Sequence, residues 1–81
     1  MEKKLFTVID GEKKVYDIIL EFTSNTTGKN IVFFNDESNM TNMAYYEKED
    51  DLYKLIPIND PAEIEMCKRM IVDIKYYIQG A

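Results

Sequence analysis

The segment Asp60-Pro61-Ala62-Glu63 constrains this chain more than any other. It places an acid at a helix N-cap, Pro at the first helical position, where its missing N–H costs nothing, and Glu three residues after the cap. Asn59 is the competing cap. Beyond it, Ile64, Cys67, Ile71, Ile74 and Ile78 recur at spacings of three and four, and Met66, Met70 and Tyr77 widen this apolar stripe. That period predicts a helix with one buried face. Lys68, Arg69 and Lys75 fall in its later part, where positive charge suits the helix dipole, and Gly80 is a stop signal.

Before this helix the chain reads as strands. Leu5-Phe6-Thr7-Val8-Ile9 is β-branched and aromatic, and Asp10-Gly11 after it is a strong hairpin signal, because both residues tolerate positive φ. Glu12, Lys13 and Lys14 fit either a longer loop or charged strand ends. From Val15 to Phe22 the period is two: Tyr16, Ile18, Leu20 and Phe22 share one parity, while Asp17 and Glu21 fall on the other. Val15 and Ile19 leave that second face only partly polar. Asn30 to Phe34 is apolar on both parities, as a central strand requires. Met43 to Tyr46 and Leu52 to Ile58 supply two more strands, the last ended by Pro57, which has no N–H to donate to a ladder. The expected fold is a single α+β domain over residues 1–81: an antiparallel meander of about five strands with one C-terminal helix packed on one face.

Composition narrows the chemistry. His is absent, which removes the side chain that titrates near neutral pH and the usual partner of nucleophiles and zinc. Cys67 is alone, so no disulfide forms within the chain, and the thiol count fits a reducing cytoplasm. Residues 1–20 show no apolar core behind a basic start, so no signal peptide is expected. No unbroken apolar run exceeds four residues, far short of a membrane span. Net charge is −5, and it is unevenly spread: residues 36–65 hold nine acids and two bases, while residues 1–35 hold five of each. An acidic middle repels phosphate, so direct nucleic-acid binding is disfavoured.

Several short motifs have structural readings that outweigh their chemical ones. Thr26-Thr27-Gly28-Lys29 resembles part of a phosphate loop, but Thr23 stands where the first Gly belongs, Asn30 follows the Lys, and a strand follows instead of a helix. Asp36, Glu37, Ser38 and Asn39 carry oxygen ligands without the glycine and distant Glu of a calcium loop, so a solvated loop is expected and no metal. Asn25-Thr26-Thr27 and Asn39-Met40-Thr41 match the glycosylation triplet and read as turns. Cys67, on the helix stripe, reads as a small core hydrophobe. No catalytic residue and no cofactor is expected.

The hairpin around Asp10-Gly11, the run Asn30-Ile-Val-Phe-Phe-Asn-Asp36, and Leu55-Ile-Pro-Ile-Asn-Asp-Pro-Ala-Glu63 leading into a helix occur in an order that resembles the YrzB-like family. These are short acidic proteins, mostly from Gram-positive bacteria and of unknown function. The resemblance spans nearly the whole chain and supports the fold reading, but implies no activity, catalytic residue or cofactor.

The expected function is a small cytoplasmic protein-interaction module without catalytic activity, with an unknown protein partner or a second copy of itself. Tyr and Met are enriched at interfaces, and at the group Met40, Met43, Tyr45 and Tyr46 a second sheet face or edge is expected to be exposed. The candidate surface is Met43, Tyr45, Tyr46, Glu47, Glu49, Asp50 and Asp51. Two alternatives are an acidic modulator that mimics phosphate toward a basic nucleic-acid-handling protein, and a small enzyme using carboxylate or Tyr.

Overall fold

The structure, a computed structural model, describes residues 3–79, with side chains described as far as Ile74. The readings of Met1, of Gly80 as a stop and of the Lys75, Tyr77 and Ile78 side chains lie outside the described residues. Five strands precede one helix: β1 (Lys3–Ile9), β2 (Glu12–Thr23), β3 (Asn30–Asn35), β4 (Thr41–Glu49), β5 (Leu52–Ile56) and α1 (Pro61–Gln79). Asp10 and Gly11 take φ of 51° and 80°, both left-handed, in a two-residue turn that pairs Ile9 with Glu12. This twist matches that of the flanking strands. Glu12, Lys13 and Lys14 are therefore strand residues.

The meander order holds, but the sheet is not open. It closes into a five-stranded barrel through a parallel pairing of β1 with β5, registered at Phe6 and Leu52. An up-and-down meander alternates direction at each turn, so with an odd number of strands the first and last run the same way and can close only in parallel. The seam is reinforced from inside. The buried Thr7 hydroxyl donates to the Tyr53 carbonyl at 2.7 Å, tying β1 to β5 where backbone pairing is sparse.

A bulge in β2 decides which side chains go where. The β2–β3 register shifts between Ile18 and Leu20. One extra residue reverses the facing of everything after it. Tyr16 and Ile18 consequently point into the barrel, whereas Leu20 and Phe22 point outward beneath the helix. The single buried face expected for Tyr16, Ile18, Leu20 and Phe22 is thus split in two, and Glu21 is carried to the inner side.

Two cores result. Inside the barrel, Leu5, Tyr16, Val32, Phe34, Ala44 and Tyr53 pack together, with Tyr16 stacked on Phe34 at 5.1 Å between ring centroids. Outside it, Ile31, Phe33 and Tyr45 meet Cys67, Met66, Met70, Ile71 and Ile74 of α1. β3 serves both by alternation: Val32 and Phe34 face in, Ile31 and Phe33 face the helix. Complete burial of Phe33 or Ile31 stabilises the fold by about 1.5–3 kcal/mol each.

Thr7→Val keeps the side-chain volume and removes the seam's hydroxyl donor. It is expected to destabilise the fold by about 1–2 kcal/mol. This would be seen as a thermal midpoint lowered by roughly 5–15 °C. Thr7→Ser, which keeps the donor, should lose less.

Candidate functional site

Glu63 is the most deeply buried charged side chain among the described residues, at 2% exposure. Asp60 makes the N-cap, accepting from the Ala62 N–H at 2.9 Å and from the Glu63 N–H at 3.4 Å. Glu63 does not complete a capping box. Its carboxylate turns across to the sheet, where it accepts from the Tyr45 hydroxyl at 2.9 Å, the Thr27 hydroxyl at 2.8 Å and the Ser24 hydroxyl at 3.4 Å. The helix N-terminus lends it further positive potential. Ser24, buried as well, accepts from the Thr26 and Thr27 N–H groups, so the β2–β3 loop is folded around the same carboxylate. Gly28, at φ 73°, completes that loop. The Thr26-Thr27-Gly28-Lys29 stretch is therefore a loop organised on Glu63. Burial, then the hydrogen bond to Glu63, push the Tyr45 hydroxyl up to about 12, and Lys29 caps the Tyr45 ring at 4.7 Å from its centroid.

A second polar group lies at one end of the barrel. The bulge that turned Glu21 inward lets it accept from the Tyr53 hydroxyl, and Lys3 stands 3.8 Å from the same carboxylate. Desolvation first, and Glu21 second, raise Tyr53 and Tyr46 above the ordinary phenol value. Both phenols stay protonated: Tyr53 donates to Glu21, and the Tyr46 ring packs against that of Tyr53. Cys67 is fully buried, and burial raises its thiol, which keeps it in the unreactive protonated form.

The residues expected to form one interaction surface are placed apart. Met43 and Tyr45 lie beneath α1 and Tyr46 packs inside the barrel, whereas Glu47 and Glu49 at the end of β4 and Asp50 and Asp51 in the β4–β5 turn are exposed. Alternation along β4 separates the aromatics, and only the acids remain on the outside. Asp36 organises the β3–β4 loop: its carboxylate accepts from the Ser38 and Met40 N–H groups and from the Asn42 amide, which together hold it below the usual carboxylate range. No group of three or more Cys, Asp or Glu is placed to hold a metal among the described residues. Among them, no helix is long and apolar enough to cross a membrane.

One surface was not singled out from the sequence. The outer wall of β1, with the start of β2 and of β5, is not covered by α1. There Phe6 pairs with Val15 on one side and Leu52 on the other, a row of three apolar side chains exposed at 45%, 54% and 47%. Val8 extends it along β1. A groove of about 570 Å³ runs beside the row, edged by Lys13, Lys14 and Asp51. The signal was Val15 on the nominally polar parity of β2; Ile19, on the same parity, packs instead into the core under α1. The meaning of Val15 depends on closure, which sets Leu52 beside Phe6.

No family model, curated protein or solved structure matches this chain.

Glu63→Ala leaves the buried Ser24 and Tyr45 hydroxyls without their acceptor and frees the β2–β3 loop. It should cost about 2–4 kcal/mol in urea unfolding. The raised Tyr45 value makes a pH prediction. The folded state holds that phenolic proton more tightly than the unfolded chain, so the stability it contributes is complete below pH 10.0 and is lost as pH rises toward about 12. Urea unfolding along that range should show the decline, and Tyr45→Phe, already weaker at neutral pH, should show a shallower one.

Proposed function

We propose that this chain is a small protein-interaction module without catalytic activity, and that its contact face is the bare barrel wall centred on Phe6. The observation that carries this reading is the Phe6–Val15–Leu52 row. Of the seven exposed large apolar side chains among the described residues, four (Phe6, Val8, Val15 and Leu52) stand together on this wall. Contiguous exposed apolar surface with a charged rim is the usual signature of a contact site. The titratable groups with the most specific partners, Glu63 with Tyr45 and Glu21 with Tyr53, are occupied in holding the fold. The reading includes a cytoplasmic location, supported by a single buried thiol, and membership of the YrzB-like family, supported by the segments that resemble it.

A second reading is favoured by the exposed acids Glu47, Glu49, Asp50 and Asp51 around one turn: a modulator that offers a row of carboxylates to a basic partner.

Immobilised wild-type and Phe6→Glu chains, each exposed to a cell extract and to the purified chain, separate the readings. The first expects binding that Phe6→Glu abolishes and that survives roughly 0.5 M salt, since apolar contact is little screened. Equal retention by both chains overturns it. Retention that ignores Phe6→Glu and disappears at high salt belongs to the acidic turn.

A further inference from the structure

We infer that the joint between α1 and the barrel is a redox switch: oxidation of Met43, Met66 and Met70 to sulfoxides by a peroxide releases the helix and leaves the barrel closed. The basis is the division of sulfur between the two cores. Inside the barrel stand Leu5, Tyr16, Val32, Phe34, Ala44 and Tyr53, and neither these nor the Ile18, Tyr46 and Leu55 packed against them carry sulfur. Cys67, Met43, Met66 and Met70 all lie in the other core, between the helix and the outer face of the sheet. Met40 lies in neither core and is 59% exposed in the β3–β4 loop. The sulfur of this chain is therefore concentrated where the helix meets the barrel.

Met43, Met66 and Met70 are half-buried. Met66 and Met70 stand one turn apart on α1, and Met43 meets the helix from β4. Each is open enough for a molecule the size of hydrogen peroxide and covered enough for a change of polarity to matter. In the step, a thioether lone pair attacks one peroxide oxygen. A sulfur–oxygen bond forms, the O–O bond breaks and the second oxygen leaves as water, so sulfur is oxidised by two electrons and the peroxide reduced. A polar hydrogen-bond acceptor now stands in place of an apolar sulfur. The neighbouring Ile31, Phe33, Ile71 and Ile74 have no donor to give it, and the Tyr45 hydroxyl already donates to Glu63. Burying the sulfoxide therefore penalises the docked helix and not the released one. Cys67 is a poor target, because it is fully buried and its thiol is held protonated. Sulfoxide reductases with a dithiol return the thioether, giving a disulfide and water, and the helix docks again.

The test is hydrogen exchange on the full chain before and after hydrogen peroxide, with peptide masses reporting each methionine separately. Oxidation at Met43, Met66 and Met70 is expected to speed exchange of the α1 amides roughly 30-fold or more, while the amides of β1 to β5 keep their protection. Binding of a hydrophobic dye should rise in parallel, because release uncovers Ile31 and Phe33. Sulfoxide reductases of both epimer specificities with a dithiol should reverse both changes. Chains oxidised at Met40 alone should match the untreated protein. The triple variant Met43→Leu, Met66→Leu, Met70→Leu conserves volume and should ignore peroxide. If it does not fold, the double variant Met66→Leu, Met70→Leu leaves the sheet unchanged and should respond more weakly than wild type. Three oxidised methionines without faster helix exchange overturn the inference, as does resistance of all three while Met40 is oxidised. Equal loss of protection in the barrel strands also overturns it, since that is unfolding and not release, and so does a response that follows oxidation of Cys67.

Discussion

The buried carboxylate of Glu63 connects parts of the chain that nothing else connects so directly. It sits in the first turn of α1, yet its hydrogen bonds go to β4 through Tyr45 and to the β2–β3 loop through Thr27 and Ser24. An unpaired charge in such a place would be prohibitive, so the hydroxyls must be present and correctly aimed for the helix to dock. Below this polar contact, the apolar residues of α1 cover Ile31, Phe33 and Tyr45. The hydrophobic area supplies most of the driving force. The carboxylate, being directional, sets where along the barrel the helix begins.

The barrel follows from two local features acting together. An odd-stranded meander closes by parallel pairing, and here that pairing is short, supplemented by the Thr7 hydroxyl on the Tyr53 carbonyl. The β2 bulge lets one strand serve two cores, feeding Tyr16 and Ile18 to the interior and Leu20 and Phe22 to the helix. Closure turns the inner face of the sheet into the core of Leu5, Tyr16, Val32, Phe34, Ala44 and Tyr53, so the surface left for contact is the outer one. There one helix covers part of the wall and leaves the Phe6 row bare. The division between structure and interaction is thus a matter of coverage: a 19-residue helix docked at Glu63 packs on β2, β3, β4 and the end of β5 at Ile56, and not on β1.

Much of this was legible in the chain. The hairpin at Asp10-Gly11, the double-sided apolar β3 and the capped helix at Asp60-Pro61 are local signals, and each stands where its residues place it. Glu63 was legible as a helix-start residue, but not as the acceptor for Tyr45, 18 positions earlier, or Thr27, 36 positions earlier, because contacts at such separations leave no trace in local spacing. The expected surface of Met43, Tyr45 and Tyr46 with the neighbouring acids failed as one face because alternation sends adjacent strand residues to opposite sides.

The sequence by itself determined the order and kind of the elements, since turn chemistry, period and capping act over a few residues. It also determined the charge polarity and the absence of His. Only the tertiary structure decided that the sheet closes, that the bulge at Ile19 reverses the inward and outward sides of β2, and that Leu52 comes to lie beside Phe6. Those outcomes depend on how twist and register accumulate over five strands. The bare apolar wall is their product, because it gathers residues from three strands that neither a helical nor a strand period brings together.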